Sequence, residues 1–188
     1  MSRPFIISCG IFKAELEYLT KTKAVDASIL FLDPALHVNF DKLKARLVQA
    51  LEENKDRQGG IRVFYGNCHP EMLKLMERYG AKKIEAVNCI EAIVGREEVR
   101  KIDAEAKSFF LTAGWINNFE SIFAAGTADF DFDFSTLFKD YKRVVVFDAG
   151  VVPIDEQKVE QFARFTGLPV ERRTINLDRL LSFLMDER

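Results

Sequence analysis

The chain has 188 residues, 48% of them hydrophobic, and a formal net charge of −2 from 27 basic and 29 acidic side chains. This length suits one globular domain, and we predict a single α/β domain over residues 1–188. The charges form no basic block or stripe, which argues against nucleic acid as a partner. No apolar run in the sequence approaches the roughly 20 residues that cross a bilayer, so we expect no membrane association.

The cysteine content and the first residues bear on the cellular compartment. The sequence opens with Met1-Ser2-Arg3-Pro4 and runs straight into a strand-like segment, without the apolar stretch and cleavage site of a secretory signal. Three cysteines cannot all pair within one chain, so a disulfide framework is not expected. We therefore predict a cytoplasmic protein with reduced thiols.

Two periodicities alternate along the chain. Short runs of β-branched and aromatic residues are followed by segments whose apolar residues recur every three or four positions, and this alternation predicts an open, mostly parallel sheet flanked by helices in three layers. The predicted strands cover residues 5–8, 28–32, 61–65, 83–87, 108–111, 143–147 and 170–174. The sixth is apolar on both faces, which is typical of a central strand.

Capping residues and apolar spacing predict the helices. They cover residues 12–19, 40–51, 70–80, 114–125, 155–162 and 177–184. Asn39 and Asp155 are suited to begin two of them, and Gly80 to end a third. Residues 129–134 alternate aspartate with phenylalanine, and we predict a half-buried extended segment there.

Each cysteine follows a predicted strand, at Cys9, Cys68 and Cys89. The carboxyl ends of parallel strands share one edge of a sheet, where ligands bind, so the three thiols are expected to meet. A helical pattern follows each cysteine, and a helix N-terminus favours the thiolate. Three thiolates suit an iron-sulfur cluster with one iron left open. They also suit zinc, with His69 or a water in the fourth position.

Other residues are expected at the same edge of the sheet. Thr112 and Gly114 follow the fifth strand and Asp148 ends the sixth, so we predict that they line a pocket for a cofactor or small-molecule ligand. Two residues have equally good structural interpretations. His69 precedes Pro70 and suits a helix entry as well as a metal site, and Trp115 suits the core as well as a pocket wall.

The turns that carry these residues resemble the prokaryotic family named domain of unknown function 1638. The resemblance lies in the turns Cys9-Gly10, Tyr65-Gly66-Asn67-Cys68 and Cys89-x-Glu91, the segment Phe109-Phe-Leu-Thr112 and the strand end Asp148-Ala-Gly150. It implies an association with corrinoid-dependent methyl transfer, because members of the family are often encoded beside corrinoid methyltransferases. A corrinoid protein or methyltransferase is then the expected partner.

The chain departs from its relatives in two places and lacks one motif. His69-Pro70 stands where many relatives are rich in glycine, and the alternation of aspartate with phenylalanine is not typical of the family. The chain also has no cobalamin-binding D-x-H-x-x-G motif, since the histidine nearest to Asp33 is His37, two positions too late. We therefore expect that it does not carry the corrinoid itself.

Three hypotheses for function follow. The first is a metal-binding or iron-sulfur protein of one-carbon metabolism, with the three cysteines as ligands. The second is a non-catalytic module that docks on a corrinoid protein or methyltransferase and has buried structural thiols. The third is thiol catalysis with His69 as base, and it is the weakest because no other histidine is well placed.

Overall fold

The computed structural model describes residues 5–23, 25–128 and 134–185. Within these ranges the strands form two sheets, with the orders β2-β1-β3-β4 and β5-β6-β7, and each described strand pair is parallel. The α/β class with parallel sheets and flanking helices is confirmed, whereas the strands are divided between two sheets instead of forming one. The strands are β1 (Phe5–Cys9), β2 (Ser28–Leu32), β3 (Ile61–Phe64), β4 (Lys82–Lys83), β5 (Ser108–Thr112), β6 (Arg143–Asp148) and β7 (Val170–Thr174).

The described helices alternate with the strands. They are α1 (Lys13–Thr22), α2 (Phe40–Asn54), α3 (Met72–Tyr79), α4 (Cys89–Val94), α5 (Arg96–Glu105), α6 (Ala113–Ala128), α7 (Phe134–Phe138), α8 (Glu156–Thr166) and α9 (Asp178–Met185). Short 3-10 turns follow β1 and β2. The described part of the chain holds no helix that is long and apolar enough to cross a membrane.

Three predicted helix ends, at Asn39, Gly80 and Asp155, agree with the observed caps. The Asn39 side chain accepts a hydrogen bond from the Lys42 amide at the start of α2, and Asp155 accepts two amide hydrogen bonds at the start of α8. Gly80 has a left-handed backbone conformation at the end of α3, where a side chain would be strained. The alternating segment falls almost entirely on residues 129–133, which lie outside the described residues.

The order of the first sheet determines where a ligand site is expected. All five residues of β1 are buried, so both faces of this strand are covered. The chain passes from β1 to β2 on one side and then crosses to β3 on the other side. The connections therefore change direction between β1 and β3, which is the topological switch point where open α/β sheets bind ligands.

The fourth strand is much shorter than the predicted segment 83–87. The Ile84 amide still donates to the Val63 carbonyl, at 3.1 Å, but the chain then turns back on itself, with the Ala86 amide donating to the Ile84 carbonyl at 2.9 Å. The Lys83 amine donates to the carbonyls of Ile84 and Ala86 at 2.7 and 2.8 Å. These carbonyls accept hydrogen bonds from neighbouring residues, and the strand pairing of the first sheet ends there.

The two sheets are connected by the last described helix. Helix α9 follows β7 of the second sheet, yet Leu177, Leu180 and Leu184 belong to the buried core of the first sheet. The Arg62 guanidinium, in β3, donates to the Leu184 carbonyl at 3.0 Å and so satisfies the end of α9. The second sheet has its own core around β6, as the apolar pattern predicts.

Candidate thiol site

Cys9 and Tyr65 lie side by side at the switch point. Strands β1 and β3 are paired in parallel with Ser8 opposite Phe64, so Cys9, the last residue of β1, and Tyr65, the first residue after β3, lie at the same edge of the sheet. Both side chains are buried. Cys68 follows three residues later, is half-buried, and packs against the same core.

The two Asn-Cys turns are held together by their backbones. The Asn67 amide donates to the Val87 carbonyl at 2.6 Å. A Cβ atom on Gly66 would lie 2.2 Å from that carbonyl oxygen and 2.6 Å from the Cα of Asn88, so only glycine permits this approach. The Asn88 side chain then accepts a hydrogen bond from the Glu91 amide and makes Cys89 the first residue of α4.

The β5 turn of the second sheet packs on the β1 turn. A Cβ atom on Gly114 would lie 2.2 Å from the Ile11 carbonyl oxygen. The buried Thr112 hydroxyl accepts a hydrogen bond from the Trp115 amide at 3.4 Å, near the start of α6. The Trp115 indole Nε1 donates to the Cys89 Sγ at 3.2 Å. The Thr112 hydroxyl thus holds the start of α6, which carries Trp115.

Burial keeps the three thiols protonated. It strongly raises the pKa of Cys9, and negative charge on Cys89 or Cys68 raises it further. Burial also raises the pKa of Cys68, and it raises the pKa of Cys89 to about 11. The thiols are therefore close enough for a charge on one to affect another, and they ionise together only if a cation compensates them.

Each cysteine has a different polar or charged group beside it. The Trp115 indole donates a hydrogen bond to Cys89. Burial raises the pKa of Cys68, and the positive charge of Lys83 lowers it in part. The Tyr65 hydroxyl lies beside Cys9. This hydroxyl is buried and has no hydrogen-bond partner of good geometry in the described part of the chain.

Two predicted site residues, His69 and Asp148, form hydrogen bonds that stabilise local structure. The His69 Nδ1 accepts a hydrogen bond from the Glu71 amide at 2.9 Å, and its ring packs against Phe40. His69 thus caps the entry to α3, and in the neutral ring its Nε2 carries the hydrogen and can only donate. The Asp148 carboxylate accepts a hydrogen bond from the Gly150 amide at 2.8 Å and stabilises the turn after β6.

His37 and Tyr65 are the residues that the sequence analysis did not assign to the site. The His37 ring packs edge-on against Trp115, with centroids 5.0 Å apart. Its Nδ1 must carry the hydrogen, because it bonds the Pro34 carbonyl at 2.5 Å and a carbonyl only accepts. Burial lowers the pKa of His37, so its Nε2 keeps a free lone pair. The sequence signal is position: Tyr65 is the last residue of a predicted strand, and His37 lies in the turn after another.

The thiols are not preassembled around a single ion. No group of three or more histidine, cysteine, aspartate or glutamate side chains in residues 5–23, 25–128 and 134–185 is arranged to hold a metal ion. An open crevice of about 390 Å³ lies beside Cys9 and is lined by the turns after β1, β2 and β5, including Gly10, Asp33 and Gly114. No cysteine lines this crevice, which agrees with the burial of the thiols.

Comparison with known proteins gives a family but no activity. A family model described as a protein of unknown function (DUF1638) matches residues 31–184. The chain belongs to this family. The matched range contains the Cys68 and Cys89 turns, whereas Cys9 precedes it. No curated protein and no solved structure matches the chain.

Proposed function

We propose that Cys9, Cys68 and Cys89 bind an iron-sulfur cluster or a zinc ion at the switch point of the first sheet. One observation carries the proposal. Three turns that are far apart in sequence meet at this edge of the sheet, and a different polar or charged group acts on each thiol. Hydrogen bonds and positive charge stabilise thiolates, the form in which cysteine binds metal.

Zinc and an iron-sulfur cluster require different spacings of the thiols. A single tetrahedral zinc ion needs sulfur atoms about 3.8 Å apart, since each Zn–S bond is about 2.3 Å. Cysteines that bind different irons of one cluster lie farther apart. The described thiols are not arranged around one ion, so either form requires their side chains to move. A cluster with three cysteine ligands supplies electron transfer or an open coordination position.

The raised pKa values argue against thiol catalysis without metal. A nucleophilic cysteine needs a lowered pKa, yet burial raises the pKa of all three thiols. His69, the proposed base, already uses its Nδ1 to accept the Glu71 amide. A bound cation would reverse this electrostatic balance, because metal binding deprotonates the thiols that it recruits.

The proposal includes a cellular setting and a partner. Free thiols suit a reducing compartment, so we propose a cytoplasmic protein. The family resemblance favours a role in corrinoid-dependent methyl transfer, with a corrinoid protein or methyltransferase as partner. A small-molecule ligand would enter through the crevice beside Gly10, which opens between three strand-end turns.

A second candidate is a docking module whose thiols are only buried. The burial of Cys9, at 7% exposure, favours it as much as it favours a metal site. Exposed apolar side chains near the Asn-Cys turns, Leu73 and Val87, supply a surface on which a partner can pack. Metal content separates the two candidates.

The experiment is anaerobic purification and reconstitution, with ferrous iron and sulfide in one sample and zinc in another, followed by metal and sulfide analysis. We expect one site per chain in the wild type. Cys9→Ser, Cys68→Ser and Cys89→Ser should each lose metal to a similar extent, because a ligand set of three has no spare member. Their melting temperatures without metal are measured on the same samples.

The matched control is Ser8→Ala, which removes a buried hydroxyl next to Cys9 and leaves every thiol in place. Its metal content should equal that of the wild type. A wild-type chain that stays metal-free after both reconstitutions contradicts the proposal. So does a pattern in which the serine variants differ only in thermal stability.

A further inference from the structure

One pocket of the first sheet is lined by three basic residues. It has a volume of about 680 Å³ and lies between the strands β3 and β4 and helix α9. Arg62 belongs to β3, and Lys82 and Lys83 make up β4. Glu85 is the one acidic residue among the described residues that line the pocket. Three positive charges and one negative charge leave a net positive charge of two.

The strand pairing places two of these positive charges opposite each other. Arg62 and Lys82 are register partners in the parallel pair of β3 and β4, so their side chains project from the same face of the sheet. Like charges on neighbouring strands repel each other. The arrangement is therefore unfavourable unless a negative charge lies beside both groups.

The part of the chain that the structure describes does not supply this negative charge. No described carboxylate, including that of Glu85, forms an ion pair with Arg62, Lys82 or Lys83. The Arg62 Nη1 donates to backbone carbonyls of α9, and the other N–H groups of the guanidinium remain for a ligand. The Lys83 ammonium donates two of its three hydrogens to backbone carbonyls as well.

An arginine in the second sheet has the more usual surroundings. Arg143, at the start of β6, pairs with two carboxylates, Glu105 at 2.9 Å and Glu171 at 2.6 Å. Both Arg62 and Arg143 are half-buried, yet of the two only Arg143 has acidic partners among the described residues. The second sheet thus neutralises its strand arginine, whereas the first sheet leaves cationic groups available.

Apolar side chains line the rest of the pocket. They are Phe64, Ile84 and Phe183, and the rings of Phe64 and Phe183 pack edge-on with centroids 6.5 Å apart. The volume is in the range of small-molecule sites, which combine apolar walls with a few polar groups. A bare ion would not need these walls, whereas an organic anion uses both the walls and the charges.

We propose that this pocket binds a small organic phosphate, whose phosphate group lies between Arg62 and Lys82 and whose carbon skeleton packs against Phe183. A phosphate monoester carries a charge of about −1.5 to −2 at neutral pH, which matches the net charge of the pocket. Hydrogen bonds from guanidinium and ammonium groups to phosphate are stronger than those between neutral groups. The proposal does not depend on the thiol site.

The alternative is that the lysines only protect the edge of the sheet. Within the described residues β4 is an edge strand, and lysine at an edge discourages pairing with another chain. Edge protection explains the exposed Lys82, but it requires neither anion binding nor a counter-charge for Arg62. Substitution of Lys82 therefore separates the two explanations.

The test measures binding of phenyl phosphate and of inorganic phosphate to the metal-free full chain by calorimetry, with sodium chloride keeping the ionic strength constant. The wild type is compared with Lys82→Gln and Lys82→Glu. Lys21→Gln is the matched control, because Lys21 is an exposed lysine in the last turn of α1 and does not line the pocket. Thermal melts without phosphate are recorded for all four proteins.

We expect the wild type to bind phenyl phosphate more tightly than inorganic phosphate, because the ring adds apolar contact. Lys82→Gln should bind phenyl phosphate about tenfold more weakly, since a hydrogen bond between charged groups is lost. Lys82→Glu should not bind it. Without phosphate Lys82→Glu should melt at a higher temperature than the wild type, because it gives Arg62 an acidic partner. Lys21→Gln should match the wild type in both measurements.

Four results would overturn the proposal. The first is a wild type that binds neither phosphate in excess of chloride. The second is wild-type affinity in Lys82→Gln, or an equal loss of affinity in Lys21→Gln. The third is Lys82→Glu melting no higher than the wild type, since Arg62 would then not lack a counter-charge. The fourth is equal affinity for the two phosphates, which would rule out an organic ligand that uses the apolar walls.

Discussion

Burial raises the pKa of each thiol in this chain and so lowers its reactivity. Burial raises the pKa of Cys89 to about 11, whereas an ordinary cysteine titrates near 8.5. The thiolate fraction at pH 8 is therefore lower by about two orders of magnitude. Cys9 and Cys68 are shifted in the same direction by burial.

Alkylation of the metal-free protein tests this shielding. We expect iodoacetamide at pH 8 to modify Cys89 at least a hundredfold more slowly in the native chain than in the chain unfolded by urea. Cys9 and Cys68 should also be protected. Mass spectrometry of the cysteine peptides follows each site separately. A native thiol that reacts faster than its unfolded counterpart would restore the hypothesis of thiol catalysis.

Glu15 is a buried carboxyl group with a pH-dependent effect on stability. It is 2% exposed, its Oε2 has no partner in the described residues, and burial raises its pKa. The folded chain therefore binds this proton more tightly than the unfolded chain. Its contribution is fully present below the ordinary pKa of glutamate and is lost as pH rises through the raised value.

Substitution of Glu15 by glutamine removes this pH dependence. Glutamine has the same shape and no charge, so the melting temperature of Glu15→Gln should fall less between pH 5 and pH 8 than that of the wild type. Glu17→Gln, on the exposed side of the same helix, is the control and should follow the wild type. Parallel thermal profiles for Glu15→Gln and the wild type would show that Glu15 is ionised without penalty.

The sequence predicts the cysteines of the candidate site but not the groups that lie beside them. Cys9, Cys68 and Cys89 can be identified as candidates because each follows a predicted strand, and strand ends can be predicted from periodicity alone. The donor groups could not be assigned in the same way. From sequence, Trp115 suits the core as well as a pocket wall and Tyr65 is the last residue of a predicted strand. Only the folded chain brings each beside a particular sulfur.

At the scale of elements, glycines determine how closely the site turns approach one another. Gly66 and Gly114 lie where a Cβ atom would be 2.2 Å from the carbonyl oxygens of Val87 and Ile11. Both contacts involve backbone, which cannot move aside as a flexible side chain can. The turns would therefore have to separate to accept any other residue.

Gly66→Ala should destabilise the fold and separate the Asn-Cys turns. We expect a loss of more than about 2 kcal/mol in the free energy of unfolding, as for an overpacked core, together with weaker metal binding. Gly80→Ala is the comparison: a Cβ atom there meets nothing within 4 Å, so only its left-handed backbone is strained, at about 1 kcal/mol. Urea unfolding gives both values. Equal losses would mean that the Gly66 turn is not tightly packed.

Most elements were predictable because periodicity and caps act locally. Asn39, Asp155 and Gly80 mark helix ends by hydrogen bonds or backbone angles that depend on neighbouring residues only. The fourth strand was not predictable, because the Lys83 amine takes the carbonyls that a longer ladder would use. The division into two sheets follows from pairing between distant strands, which local patterns do not specify.

At the scale of the whole molecule, the packing of Trp115 connects the cores. This side chain contacts the core of the first sheet and both apolar clusters of the second. Helix α9 makes another connection by burying Leu180 completely in the core of the first sheet. The prediction of one domain over residues 1–188 can be tested through these connections.

We expect the two sheets to unfold together. Fluorescence of Trp115, the single tryptophan, and circular dichroism should report the same urea midpoint in the wild type. Leu180→Ala should lower the stability of both by about 2–5 kcal/mol, as for other buried leucines. The exposed Met185→Ala in the same helix is the control. Two separate transitions would indicate that each sheet is an independent unit.

The placement of helix α9 has a consequence for how the protein is made. Synthesis runs from the N-terminus, so β1 to β4 and all three cysteines are translated well before Leu177, Leu180 and Leu184, which complete their core. Until α9 is added, the nascent first sheet keeps an apolar surface uncovered. The thiols are then more accessible to oxidants and stray metal ions than in the finished fold. The thiols are therefore expected to reach their final protection only after α9 has been translated.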